Sequence, residues 1–192
     1  EGVTRLREAL ELIPDDAEGT AETQQAIRRA DSIFIGEVLA PMARLRTIDP
    51  LFEDSGLEDD VARAGRGLGV EAANEAGWWG RSALVLEDAL ACASSAHVRS
   101  QIASDLALVQ CLYHGGEAES CLRSDDYAGT AAHLEMAAEY AADEEERHEL
   151  ELRAQGARSW LPASGSDEVA ERRAAVVENV DKQRRARHDG AY

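Results

Sequence analysis

The sequence predicts an all-α protein built from antiparallel helical hairpins, stacked as a short array or packed as a bundle. Three observations lead there. Much of the 44% hydrophobic share is alanine, and aromatics make up only 5%; alanine is the best helix former and lets helices approach closely. β-Branched residues are sparse and never alternate over the length of a strand. A pattern is also written twice. Trp79, Ser82, Ala83, Leu86, Glu87, Ala89 and Ala93 recur 48 positions later as Tyr127, Thr130, Ala131, Leu134, Glu135, Ala137 and Ala141. The register continues with Arg99 on Arg147, Ile102 on Leu150 and Leu106 on Ala154. In each copy an aromatic opens a helical run, a polar break follows, and a second run begins.

The elements follow in order. A first helix covers about Gly2 to Ile13, with Leu6, Leu10 and Ile13 on one face, and Pro14-Asp15-Asp16 ends it. A second starts near Thr20, a capping residue ahead of Gln24. Its apolar positions Ile27, Ala30, Phe34, Val38 and Met42 keep the three-and-four spacing, and Pro41 kinks it or ends it early. Thr47 to Gly56 reads as a loop. Leu57 to Ala76 is helical in pattern but carries Gly65, Gly67 and Gly69, which mark either a close backbone crossing or a break into two short helices. Gly77-Trp78-Trp79-Gly80 turns into a helix over Arg81 to Ala93. Ser94-Ser95 caps the next, about Ala96 to Tyr113, which His114-Gly115-Gly116 interrupts before Glu117 to Arg123.

Ser124-Asp125-Asp126 caps a helix from Tyr127 to Ala141, and Glu144 to Trp160 completes the doubled unit with Leu134 and Leu150 facing inward. In domain terms, residues 1–161 form the hairpin region, 162–166 a linker, and 167–192 a polar helix with a basic tail. That tail, Arg184-Arg185-Ala186-Arg187-His188, reads as a mobile end or as a dock for an acidic surface.

The formal charge of −18 sets 38 acidic residues against 20 basic ones, with Lys182 the single lysine. A field of that sign repels phosphate backbones and anionic bilayers, so neither nucleic acid nor a membrane is an expected partner. No run of 18 apolar residues spans a membrane. The acidity with almost no lysine fits a halophilic source, where 1 M salt screens charges within about 3 Å; a GC-rich genome favouring Arg over Lys is the competing account. Three cysteines, an odd number, argue against a disulfide framework and for a reducing cytoplasm. The chain opens at Glu1 rather than Met, without a charged-apolar-small leader.

The run Asp126-Tyr127-Ala128-Gly129-Thr130-Ala131-Ala132-His133-Leu134-Glu135-Met136-Ala137-Ala138-Glu139-Tyr140-Ala141 resembles the second half of a tetratricopeptide repeat. Trp78-Trp79 through Ala93 is a second partial match, and Leu6 to Asp15 resembles the end of a third. The family's period is about 34 residues, against 48 here, and the tryptophan and Leu-Gly of its first helix are not in place. The resemblance implies a groove for a peptide or partner helix and no chemistry of its own.

Several constellations point to chemistry. Cys92, Cys111, His114 and Cys121 offer thiols and an imidazole, but lack the paired short knuckles of a zinc site and suit core packing. Glu145-Glu146-Arg147-His148 holds one Glu-x-x-His, the unit that di-iron bundles use twice. With His133 and Glu135 it makes an alternative metal set, His133, Glu135, Glu145 and His148; against it stands a solvated acidic face. Gly65-Arg66-Gly67-Leu68-Gly69 has no strand before it and no Lys-Ser/Thr after it, and no serine sits in a nucleophile elbow.

The leading expectation is therefore a non-enzymatic scaffold or adaptor, without a cofactor. It binds a protein or peptide, or a second copy of itself, through Trp78, Trp79, Arg81 and Tyr127 at the helix starts, where aromatics concentrate binding energy. A helical-bundle metal protein or enzyme is the alternative, and a small-ligand pocket between hairpins is a third.

Overall fold

A computed structural model describes residues 1–14, 20–49, 52–162 and 165–189. Among them every regular element is helical: α1 (Gly2–Glu11), α2 (Ala21–Ile33), a π-helical segment (Phe34–Leu39), α3 (Ala40–Ile48), α4 (Ser55–Asn74), α5 (Trp79–Cys92), α6 (Ala96–Arg123), α7 (Tyr127–Glu139), α8 (Glu144–Arg158) and α9 (Gly165–His188). No helix is long and apolar enough to cross a membrane among the described residues. The chain packs as two compact units, Glu1–Leu106 and Ala107–Tyr192, so the division falls inside α6. Of the linker that the sequence places at 162–166, residues 163 and 164 lie outside the described residues, as do Asp15, Asp16, Pro50 and Tyr192.

In the first unit, α2, the π segment and α3 run on without a loop. The expected positions Ile27, Ala30, Phe34, Val38 and Met42 are all buried, and the Thr20 side chain accepts from Thr23 N–H as the cap. Pro41 neither ends the rod nor breaks it, because it enters at the first turn of α3. Just ahead of it the backbone widens to a π turn, with Ala40 N–H reaching Ile35 O. A proline cannot donate and its ring crowds the carbonyl four residues back; a wider turn is one way to relieve that crowding.

Glycines decide how α4 meets α5. A Cβ on Gly65 would lie 2.5 Å from Phe34 Cζ and 2.9 Å from Ala89 Cβ, and one on Gly69 would lie 2.7 Å from Leu86 Cγ. Of the two readings of this glycine run, the close crossing holds, and α4 stays one continuous helix. The Ser82 hydroxyl donates to Gly69 O at 2.7 Å across the same contact. The N-terminus of α6 is fixed from α4: Asp59 accepts from Ser94 N–H at 3.0 Å and Ser95 N–H at 2.9 Å. The Ser95 and Ser94 bonds hold its carboxyl down at about 2.

In the second unit α7 and α8 form an antiparallel hairpin. The end of α7 meets the start of α8, where Leu134, Ala137 and Ala138 pack with Leu150 and Ala154. The start of α7 meets the end of α8, where Ala128, Ala131 and Ala132 pack with Ala157. Asp126 and Asp143 cap the two helices, accepting from Gly129 N–H and Glu146 N–H, each at 2.9 Å. α9 lies on α7 through Val169, and Arg173 pairs with Glu139. The basic tail is not a loose end as far as His188: it continues α9, and Arg187 is buried.

Gly115-Gly116 does not interrupt α6, which runs unbroken to Arg123. Two glycines lower helix propensity by about 1 kcal/mol each, but His114 and Ala118 on either side are buried and hold the turn in place.

Candidate functional site

The end of α6 builds the first wall of the site. Its last turn passes through Ser124 into Asp125, whose φ of 57° lies in the left-handed region. Asp and Asn tolerate that conformation better than most residues. The chain then reverses into the Asp126 cap, and Tyr127 becomes the first residue of α7. Thr130 Oγ1 donates back to Asp126 O at 2.8 Å and fixes the turn.

The opposite wall comes from the far end of the hairpin. After Ser159 the chain leaves α8, with Trp160 N–H donating to Ala157 O at 3.2 Å. The indole stacks on the Tyr127 ring, centroids 5.9 Å apart and planes 18° from parallel. Trp160 is nonetheless 74% exposed. Beneath the two rings lies a pocket of about 210 Å³. Ala118, Thr130, Leu134 and Ala157 form its buried floor, and Leu122, Glu119 and Arg153 its rim. Pockets for drug-sized molecules run from about 300 Å³ upward; this one suits a single large apolar side chain.

A second polar feature lies between α6 and α7. His114 and His133 are both buried, with their Nδ1 atoms 3.1 Å apart. One Nδ1 must donate and the other accept, and burial favours the neutral form of both rings, which then take opposite tautomers. Tyr140 stacks on His114 at 6.1 Å and Tyr113 tilts against it at 5.0 Å. Burial, then the neighbouring His133, pushes the His114 pKa down to about 4; burial also lowers that of His133.

The residues singled out in the sequence scatter across both units. Trp78 and Trp79 are half-buried in the first. The Arg28 guanidinium lies 5.1 Å from the Trp78 ring centroid and that of Arg81 5.8 Å. Arg81 turns inward, its Nε donating to Asp31 Oδ2 at 2.8 Å, and Asp31 is fully buried. Tyr127 lines the pocket that combines an exposed aromatic with an apolar floor.

The alternative metal set is not assembled. His133 faces His114, Glu135 accepts from Arg158 Nε at 2.7 Å, and Glu145 and His148 are exposed on α8. Among the described residues no three His, Cys, Asp or Glu side chains gather as a metal site would require. Cys92 and Cys111 are buried free thiols and Cys121 is half-buried; burial raises the pKa of each.

Sequence reasoning missed Trp160 and Leu122 as site residues, placing Trp160 as the end of the last helix of the doubled unit. One signal was available. α7 and α8 are of nearly equal length, so an antiparallel hairpin returns the residue after α8 to the first residue of α7. No family model, curated protein or solved structure matches this chain.

Proposed function

We propose that this chain is a non-enzymatic helical scaffold or adaptor whose second unit binds a protein or peptide partner in the Tyr127–Trp160 pocket. The observation that carries the reading is a tryptophan held in stacked register by a tyrosine yet left to solvent above an apolar floor. Large aromatics beside well-packed pockets are where binding energy concentrates. The antiparallel α7–α8 hairpin supports a tetratricopeptide-like arrangement, and the free thiols suit a reducing compartment such as the cytoplasm. A partner arriving here meets Glu119 and Arg153 at the rim.

Selection of peptides from a random displayed library on the full chain, counter-selected on Trp160→Ala, tests the reading. Peptides that bind the parent should lose affinity by about 2 kcal/mol or more on Trp160→Ala, while the melting midpoint barely moves. If no selected peptide depends on Trp160, the pocket is not a partner site.

A further inference from the structure

Along the part of α6 that belongs to the second unit, one helix face is bare. Leu108 is 57% exposed, Leu112 43% and Leu122 49%. Between them Gly115 and Gly116 face open space, since a Cβ on either would meet nothing within 4 Å. Positions 108, 112, 115, 119 and 122 stand four, three, four and three apart, the spacing of the seam along which one helix receives another. Glu119 and Leu122 also rim the Tyr127–Trp160 pocket, so the pocket is the end of a track about 20 Å long.

The other border of the track is the edge of α8. Glu146 Oε1 lies 3.9 Å from the thiol of Cys111, next to the seam, and Arg153 reaches the pocket. Glu149 lies between them on the same helix and is exposed. From Ala107 to Trp160 the chain carries twelve acidic residues against four arginines. Two of those arginines are already engaged, Arg147 with Glu144 and Arg158 with Glu135.

Resting on the partner-binding reading above, we infer that the track receives an amphipathic α-helix with basic flanks from another protein. The heptad spacing of the leucines suits a helix, whose own residues at i, i+4 and i+7 meet such a seam. The bare glycine pair lets the incoming helix approach α6 closely at mid-track. The carboxylates of Glu119, Glu146 and Glu149 beside the seam attract lysines and arginines and raise the rate of encounter. A second copy of this chain would set the same carboxylates against each other, and the like charges would oppose it.

Three synthetic peptides of about 18 residues, roughly five turns, test this by calorimetry on the full chain. The first places leucines at seam spacing among lysines. The second replaces the lysines with glutamates, and the third keeps leucines and lysines but carries a central proline that breaks the helix. The basic helix should bind, and the other two should bind at least about tenfold more weakly. Gly115→Gln should weaken the basic helix at least about tenfold, because the side chain fills the track while meeting nothing in its own chain; circular dichroism melting reports that this variant stays folded. Equal or tighter binding by the glutamate or proline peptide overturns the inference. So does undiminished binding to folded Gly115→Gln, or a chain that sediments as a dimer dispersed by Leu108→Ala with Leu112→Ala. Library peptides that need Trp160 but are neither basic nor helical overturn this inference alone and leave the pocket reading standing.

Discussion

Trp78 and Trp160 each sit at a helix end, and the chain uses them in opposite ways. Trp78 is the cap residue of α5; two guanidiniums attend its ring, and one of them, Arg81, is committed to the buried Asp31. Trp160 follows α8, touches one aromatic neighbour, and stays in water. The difference teaches that an aromatic at a helix start is not by that fact a contact residue. Its own chain can claim it, and the decisive quantity is what else packs over the ring. The glycines draw the same contrast: Gly65 and Gly69 are filled from outside by Phe34, Ala89 and Leu86, whereas Gly115 and Gly116 face nothing.

The strongest test of this contrast is Arg81→Ala. It leaves a buried carboxylate without its guanidinium, a loss of about 3 kcal/mol or more, read as a drop in the urea midpoint. Binding of a Trp160-dependent peptide should not change. A variant that keeps its stability and loses binding would return the partner surface to the first unit.

Acid should act on the second unit through the His114–His133 pair. The folded pKa of His114, about 4, lies below its ordinary 6.5, so unfolding takes up a proton. The pair's contribution is therefore complete above pH 6.5 and is lost as pH falls through about 4. At about 1.4 kcal/mol per unit the His114 share of the loss amounts to at most about 3.5 kcal/mol. Glu139 opposes the shift at His114 and Arg173 favours it, while Glu117 and Asp126 oppose it at His133. Urea titrations between pH 7 and 4 on the parent and on His114→Gln should show the slope flattened in the variant; an unchanged slope would place the acid sensitivity elsewhere.

Paired glycine substitutions sharpen the comparison at smaller scale. Gly65→Ala should destabilise by about 1–3 kcal/mol through overpacking at the α4–α5 crossing. Gly115→Ala, with open space around it, should stabilise by up to about 1 kcal/mol through helix propensity. Melting midpoints that move in the same direction would refute the assignment of one glycine to a crossing and the other to an open face. The smallest effect expected is that of salt. If the surplus of acidic residues is an adaptation to salt, the midpoint should rise between 0.1 M and about 2 M potassium chloride as the repulsion is screened; a flat response favours the compositional account.

What the sequence determined alone is local. Alanine content and three-and-four spacing produce the helices, and the caps at Thr20 and Asp126 lie where short polar side chains precede helical runs. The inward pair Leu134 and Leu150 follows from the same spacing. These depend on residues within a turn or two of each other, which is the range a linear pattern carries. Only the tertiary structure decided the rest. His114 meets His133 across 19 positions, the Gly65 crossing holds because Phe34 fills it, and α6 continues through Gly115-Gly116 because buried neighbours hold it. Exposure of Trp160 belongs to the same class. No spacing within the chain encodes which side chains remain uncovered, because that depends on every other element that packs, or fails to pack, against them.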